Sequence, residues 1–342
     1  MKEFDFLIFI GRFQPLHNGH VKVIQEALSR SARVGILIGS ATAPRSLRNP
    51  WTYDERIAMI QNAFSEEDCK RIDFNPISDN IYNDLAWIEN VQCAVKNITW
   101  NYNAGTKQKI GLIGHSKDHS SFYLKLFPQW GSVNVSQEVV YNSTDIRVDY
   151  MKRNPIIPTS IPVNVAAFLE KFHATPEFGR LVKEQEYITK YKQQWANTPY
   201  PVTFVTTDAI VTQSGQILLI ERKAEPGKGL IALPGGFLDQ KDRTPIDGVL
   251  RELREETRLK VPEPVLRGSL GKTRVYADPN RSERGRVITH AHHFDLKPQR
   301  ELPDVKGRTD AKRAFWTPIS EVKECDMFED HYFLIRDMLE LA

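Results

Sequence analysis

The first half of the chain alternates short apolar runs with stretches whose apolar residues recur every three or four positions. Phe6 to Ile10 is continuously apolar, the pattern of a parallel strand covered on both faces. From His20 onward Val21, Ile24, Ala27 and Leu28 return at helical spacing. Val34 to Gly39 reads as a second strand, Leu85 to Val95 as a helix and Lys109 to Gly114 as a later strand. This β–α–β punctuation predicts an α/β unit, a doubly wound parallel sheet whose ligands bind beyond the carboxyl ends of the strands. Those ends carry GRFQPLHNGH (11–20), the polar stretch from Gly39 to Arg56, and GHSKD (114–118).

The pattern then changes. Prolines 155, 158, 162 and 176 interrupt it, 164–195 is helical and highly charged, and Asn197-Thr198-Pro199-Tyr200-Pro201 breaks the chain. These signals divide the chain into domains 1–195 and 196–342. The second has β-branched runs (Val202 to Val211, Ile217 to Ile220), a turn at Ser214-Gly215 and one strong helix, an α+β pattern. That helix starts at Thr244-Pro245-Ile246-Asp247, with Thr as cap and Pro at the first position, and runs to about Thr257. Ile246, Val249, Leu250 and Leu253 form one apolar stripe, and Glu252, Glu255 and Glu256 cluster beside it.

Composition narrows the class. A chain of 342 residues with 41% hydrophobic and 26% charged positions fits two globular domains with sizeable cores. A net charge of +3 gives no electrostatic argument for a nucleic-acid partner. Cys69, Cys93 and Cys325 are odd in number and far apart, which argues against a disulfide framework and for a reducing, cytoplasmic setting. No apolar run reaches membrane-spanning length, and Met1-Lys2-Glu3-Phe4-Asp5 lacks signal-peptide form.

The loop after the first strand offers backbone N–H groups near Gly11 and a helix N-terminus, both suited to phosphate. It is neither a P-loop nor G-x-G-x-x-G. His17 and His20 instead present two imidazoles to one anion, with Gly19 leaving room for its approach; helix capping is the plainer alternative for one of them. Asn142-Ser143-Thr144-Asp145-Ile146-Arg147 adds two hydroxyls and a guanidinium at a second helix start. GRFQPLHNGH together with STDIR resembles the paired signature of the HxGH nucleotidylyltransferases. The stretch from Gly39 to Arg56, with Asn49-Pro50-Trp51-Thr52, is similar to the archaeal-type nicotinamide-mononucleotide (NMN) adenylyltransferases. The resemblance implies ATP bound by Gly11, Arg12, Phe13, His17, His20, Ser143, Thr144 and Arg147. His17, His20 and Arg147 would act on the phosphates during attack of the mononucleotide's 5′-phosphate on the α-phosphorus. It further implies a mononucleotide site of Arg48, Asp79, Asn83 and Trp87, where an aromatic stacks on the cationic ring; for Trp87, a place in the core is the alternative.

The second constellation is Leu233-Pro234-Gly235-Gly236-Phe237 followed by the acidic helix. Three crowded carboxylates repel unless cations sit among them, and oxygen-only donors suit Mg²⁺ or Mn²⁺. Arg251-Glu252-Leu253-x-Glu255-Glu256 resembles the Nudix box. The resemblance implies metal ligands Glu252, Glu255 and Glu256, with Glu255 catalytic, and ADP-ribose contacts at Gly235 and Gly236. Departures from the box are Arg258 where Gly is usual, one extra residue between Gly236 and Arg251, and Arg243 where Glu is common, with Asp239 or Asp242 as substitutes. No general base stands out; Glu283 and Asp310 lie in later loops. His290, His292 and His293 alternate along a strand, with His293 on the opposite face, as in a packed strand. Both halves together resemble the bifunctional NMN adenylyltransferase/Nudix hydrolase family: a Rossmann-like HxGH domain, then an α+β Nudix domain. Its implied substrates are ATP, NMN and ADP-ribose, with Mg²⁺ as cofactor. Two other readings stay open, a non-catalytic ADP-ribose-sensing Nudix domain and transfer to another pyridine mononucleotide. Homo-oligomer formation is left open.

Overall fold

The computed structural model describes residues 2–103, 107–115, 125–136, 142–154 and 159–341. Ser116, Lys117 and Asp118 of the GHSKD stretch, and Pro155 and Pro158, lie outside them. The chain divides into two compact units, Met1–Val182 and Lys183–Ala342.

The first unit is built on β1 (Phe4–Gly11), α1 (Asn18–Arg30), β2 (Ser31–Ile38), α2 (Tyr53–Gln61), α3 (Glu66–Cys69), β3 (Ile72–Pro76), α4 (Asp84–Asn103), β4 (Ile110–Gly114), β5 (Gly131–Asn134) and α5 (Ser143–Met151). All its strand pairings are parallel, in the order β3-β2-β1-β4-β5. This is a Rossmann-like sheet with its reversal point between β1 and β4, the place where sheets of this kind bind their ligands. Phe6, Ile8, Leu37 and Leu112 of the sheet meet Val91, Ala94, Val95 and Ile98 of α4 in one core. On α1 the buried stripe is Val23, Ile24, Ala27 and Leu28. Val21 is only half-buried, since the helix begins two residues earlier than its apolar spacing indicated, at the cap His17. α2 opens on a capping box, with the Thr52 side chain accepting from Glu55 N and Glu55 from Thr52 N (2.7 Å). The charged region resolves into α6 (Val163–Phe172) and α7 (Pro176–Gln193), broken near Thr175 and Pro176.

The second unit contains β6 (Thr203–Gln213), β7 (Gln216–Arg222), β8 (Ile231–Ala232), β9 (Gly235–Phe237), α8 (Pro245–Thr257), α9 (Glu263–Gly268), β10 (Leu270–Tyr276), β11 (Arg286–Asp295), β12 (Ala311–Pro318) and α10 (His331–Met338). Its mixed sheet runs β10-β11-β6-β7-β12, with β9 on β6 and β8 on β7. Only β6 and β11 are parallel within that path. The predicted stripe of α8 packs on Ala209 and Val211 of β6, Leu218 of β7 and Phe294 of β11. The division into units falls inside α7, ahead of the Pro-rich break at 197–201. The reason is that Tyr191 and Trp195 already pack on Phe204 of β6, with ring centroids 5.6 Å and 5.5 Å away.

One buried side chain ties the site loops of the first unit together. Arg56, 1% exposed, donates to the carbonyls of Arg12 (2.9 Å), Gly39 (2.7 Å) and Ser40 (3.1 Å). Burial lowers its pKa to about 10, with nearby Asp79 opposing the shift. Arg56→Met keeps the bulk but orphans three carbonyls, each worth about 1–3 kcal/mol when left unsatisfied. The expected outcome is a loss of at least about 3 kcal/mol in urea unfolding of the variant; a loss below about 1 kcal/mol contradicts the role.

Candidate active sites

In the first unit the loop from β1 to α1 is held at both ends. Gly39 N donates to Gly11 O (2.9 Å), and α1 is capped by histidines. His17 Nδ1 accepts from His20 N and His20 Nδ1 accepts from His17 N, both at 3.3 Å. This is a capping box with imidazoles in place of the usual hydroxyl and carboxylate. The two rings stack, centroids 3.6 Å apart and 19° from parallel. Because each Nδ1 accepts, each neutral ring carries its proton on Nε2, giving two fixed N–H donors at a helix N-terminus. The capping expected for one histidine is made by both, and it occupies the Nδ1 atoms alone. Phe13, at φ +53°, packs 4.9 Å from the His20 ring and edge-on to Phe9; a Cβ on Gly11 would lie 3.0 Å from the Phe13 ring.

The start of α5 is tied to the same loop. Asn142 caps it by accepting from Thr144 N (2.9 Å), and Ser143 Oγ reaches Pro15 O at 3.4 Å. Buried Arg147 donates to Gln14 O (2.6 Å) and Thr144 Oγ1 (3.1 Å). The two motifs, over a hundred residues apart in sequence, thus meet. Gln14, unremarked in the sequence, exchanges hydrogen bonds with Trp51 N and O and so joins the loop to the segment before α2. Of the four residues assigned to the mononucleotide, Asp79 accepts from Ser40 N (3.0 Å) and Ser40 Oγ (2.6 Å) and borders Gly39 together with Arg12. Asn83 accepts from Ala86 N (3.0 Å) at the start of α4. Trp87 is half-buried against the core, 6.1 Å from Phe127, and Arg48 is half-buried after β2.

In the second unit β9 lies on β6 and under α8. A Cβ on Gly235 would meet Thr207 O at 2.3 Å, so glycine there lets β9 lie close on β6, and one on Gly236 would meet Glu252 Oε1 at 2.5 Å, so glycine there leaves room for the carboxylate of the acidic helix. Glu256 accepts from Gly235 N (2.9 Å). Its pKa is pushed up to about 8 by burial, Glu252 and Asp310 adding to the shift while the Gly235 N–H and Arg222 oppose it. Burial also raises Glu252; Glu255 is half-exposed. Arg251 donates to Glu252 (2.8 Å), to Phe237 O (3.1 Å) and through two nitrogens to Asp242 (3.1 and 2.8 Å). Of the two acids considered upstream, Asp242 is the one engaged, and Arg251 holds its carboxyl below the usual range.

A cytidylyltransferase-like family model matches residues 8–148 and a NUDIX domain model residues 202–338. The chain is 41% identical over 188 residues to a nicotinamide/nicotinic acid mononucleotide adenylyltransferase of Acinetobacter baylyi, covering 55% of this chain and 95% of that one. It is 35% identical over 135 residues to an ADP-ribose pyrophosphatase of Methanocaldococcus jannaschii, covering 40% and 72%. The crystal structure of a bifunctional NMN adenylyltransferase/ADP ribose pyrophosphatase of Francisella tularensis, complexed with AMP and a manganese ion, matches 98% of this chain and 99% of its own, with 34% identity and a TM-score of 0.90. The chain belongs to this bifunctional family.

For a member of that family, the departures in the Nudix box have local causes. Arg258 is the C-cap of α8 at φ +48°, ψ +33°, a left-handed position where glycine is the unstrained residue. Of the two acids near Arg243 considered as substitutes, Asp242 is the one that pairs with Arg251 of the acidic helix. Asp310 is the later-loop acid whose charge reaches Glu252 and Glu256; its loop is anchored by Arg308 N on Glu256 O (3.0 Å) and by its own O on Lys223 N (2.9 Å). Glu283 is exposed. His293 meets Thr212 Oγ1 (2.8 Å), and His292 meets Thr273 Oγ1 (3.1 Å) with its pKa pushed down to about 4 by burial. Among the described residues no three His, Cys, Asp or Glu side chains converge as a ready metal cage. The donor set of two desolvated carboxylates, Glu252 and Glu256, beside the half-exposed Glu255 nonetheless fits a hard divalent cation, which commonly takes one or two carboxylates and completes its shell with water and phosphate oxygens. Sequence reasoning missed the network of Asp208, Arg281, Asp330 and His331, since no local pattern distinguishes a buried charge from a surface one. Arg258→Gly is expected to leave ADP-ribose hydrolysis unchanged and to alter stability by no more than about 1 kcal/mol in the stabilising direction; thermal melting and a hydrolysis assay check both.

Proposed function

We infer that the first unit transfers the adenylyl group of ATP to NMN, giving NAD and pyrophosphate, and that the second hydrolyses ADP-ribose to AMP and ribose 5-phosphate. One observation supports both halves: similarity to a bifunctional relative along the whole chain at 34% identity, with each half's motif residues assembled at its own strand ends. Transfer requires positioning and charge stabilisation rather than a protein nucleophile. His17 and His20 donate Nε2–H to the ATP phosphates as the mononucleotide phosphate oxygen bonds to the α-phosphorus and the bond to pyrophosphate breaks. Arg147 holds Gln14 O and Thr144 in place and adds positive charge on the leaving-group side. Arg12, Phe13, Ser143 and Thr144 complete the ATP site; Arg48, Asp79, Asn83 and Trp87 face the mononucleotide. Trp87 supplies its aromatic surface and Asp79 orders the Ser40 turn.

In the second unit Glu252, Glu255 and Glu256 would hold Mg²⁺ or Mn²⁺, and Gly235 and Gly236 would let the diphosphate approach the backbone. A bound divalent ion polarises the diphosphate and lowers the pKa of the attacking water. Arg251 fixes the Glu252 carboxylate, and Gly235 N fixes that of Glu256. No helix of the described residues is long and apolar enough to cross a membrane, and the three cysteines are free thiols; both support a cytoplasmic enzyme of nucleotide metabolism.

Incubation with NMN, ATP and Mg²⁺ should yield NAD, and ADP-ribose with Mg²⁺ should yield AMP. His20→Ala should lower NAD formation by at least about a hundredfold while ADP-ribose hydrolysis stays within about twofold; parallel loss of both in a folded variant contradicts separate sites.

Glu256→Gln should reduce hydrolysis by about a hundredfold or more. The Glu256 pKa is raised from 4.5 to about 8 in the folded state, so the fold favours its protonated form. Wild-type stability without metal therefore falls as pH rises from about 4.5 to 8. In chelator the Gln variant should melt several degrees above wild type at pH 8.5 and level with it at pH 5. Half-saturating Mg²⁺ for wild-type hydrolysis should fall as pH rises toward 8, since metal displaces that proton. Pairs of melting curves and Mg²⁺ titrations at several pH values check both.

A further inference from the structure

The chain changes partner strand just before the Gly235-Gly236 turn. Ala232 of β8 pairs with Ile220 of β7, whereas Gly235 of β9 pairs with Asp208 of β6. Leu233 and Pro234 form the step between them and belong to neither strand. Pro234 has no N–H, and its carbonyl accepts from Ala209 N (2.8 Å), so Leu233 N is the one backbone donor of the step. A buried N–H needs a partner, and here the partner is a side chain: Leu233 N donates to His331 Nδ1 at 3.0 Å. His331 is 6% exposed and opens α10. Its neighbours are stitched to the same segment. Phe328 N donates to Ile231 O (2.7 Å) and His331 N to Phe328 O (3.1 Å), while Asp330 takes two bonds from buried Arg281. With Nδ1 accepting, the ring carries its proton on Nε2, which faces Asp208 Oδ1 at 3.9 Å. That same oxygen would lie 2.6 Å from a Cβ on Gly235. The imidazole thus stands behind the turn, one nitrogen on Leu233 and the other toward the acid that borders Gly235.

We propose that His331 is a positioning residue of the hydrolase site: it takes the Leu233 N–H through Nδ1 and so sets where Gly235 N meets the Glu256 carboxylate. The inference rests on the hydrolase reading above. Only Pro234 separates Leu233 from Gly235, and the fixed φ of proline leaves little slack between the two N–H groups. A shift of Leu233 therefore moves Gly235 N, whose bond to Glu256 (2.9 Å) orients a carboxylate that would hold the divalent ion. Groups that orient a metal-binding side chain from behind govern metal affinity or rate by about 10- to 100-fold. Burial lowers the His331 pKa, which keeps Nδ1 free of a proton and available as the acceptor.

The test compares wild type with His331→Asn, His331→Gln and His331→Leu. Asn places its Oδ1 as many bonds from the backbone as Nδ1 and can take the Leu233 N–H. Gln carries its amide one bond farther, at the reach of Nε2, and Leu offers no acceptor. Mn²⁺ affinity is measured without substrate from the electron-spin signal of the free ion, with Glu256→Gln marking the share due to the acidic helix. ADP-ribose hydrolysis and NAD formation are assayed in parallel, and thermal melting verifies folding. The expected result is Mn²⁺ affinity and hydrolysis kcat within about threefold of wild type for Asn, and lower by about tenfold or more for Gln and Leu. NAD formation should stay within about twofold throughout. Equal losses in Asn and Gln, or Mn²⁺ bound by a folded Leu variant as tightly as by wild type, overturn the role. Nitrogen NMR of isotope-labelled wild type needs no variant: His331 is expected as the Nε2–H tautomer, and a proton on Nδ1 overturns the proposal. Wild type that binds Mn²⁺ without hydrolysing ADP-ribose overturns the hydrolase reading, and the Mn²⁺ comparison among the variants still decides whether His331 positions Glu256.

Discussion

Three carbonyl oxygens, of Arg12, Gly39 and Ser40, converge on the buried Arg56 guanidinium, and this convergence makes the first site possible. A sheet that opens its strand ends to bind an anion leaves backbone groups that no neighbouring strand can pair, and buried backbone polar groups must find partners. Arg56 takes the carbonyls of the β1 and β2 exits at once. The two histidines at the start of α1 satisfy one another's backbone N–H groups through Nδ1. The same cation lies near Asp79, which orders the Ser40 turn, so the loops after β1 and β2 and the segment after β3 share one electrostatic anchor.

The second unit answers the same constraint with the opposite charge. Here an N–H, that of Gly235, is taken by a buried carboxylate, Glu256. The carboxylate that satisfies the turn is also part of the acidic cluster, so ordering the backbone and gathering the acids are one event. Its high pKa is the physical expression of that double role: without a cation, burial and the neighbouring acids favour the proton. Beneath the turn, Leu233 N donates to His331 Nδ1 (3.0 Å), which keeps His331 neutral, and burial pushes its pKa down to about 3. Arg281 pairs with Asp330 through two bonds of 2.9 Å, and Asp208 accepts from Thr289. A buried set of this kind specifies one arrangement more than it adds net stability, and the arrangement it holds is the strand leading into Gly235.

Much of this was legible in the sequence, and the reason differs by element. The parallel strands, the stripe of α8 and the helix start at Thr244 follow from local periodicity and capping chemistry, which act within a few residues. The paired signatures GRFQPLHNGH and STDIR, and the Gly-Gly turn before the acidic helix, identified both chemistries because each motif is a contiguous piece of backbone with a fixed job. Even the departures could be read as positions, although only the backbone showed that Arg258 sits in the left-handed region and that Asp242 reaches Arg251.

What the sequence by itself determined is which residue types stand at the strand ends, and hence two phosphate chemistries in two α/β-type units. Tertiary structure alone decided which polar groups are partners. Arg56 reads like any surface arginine until three carbonyls from two loops surround it. His17 and His20 look like two ligands until their Nδ1 atoms cap one another and leave Nε2 as the donor. Tyr191, Trp195 and Phe204 read as the end of a charged helix and the start of a strand until their rings are placed together. Periodicity carries no information about contacts between distant segments, because pairing of buried charge and stacking of distant rings depend on where folding brings the chain, and long-range packing sets that.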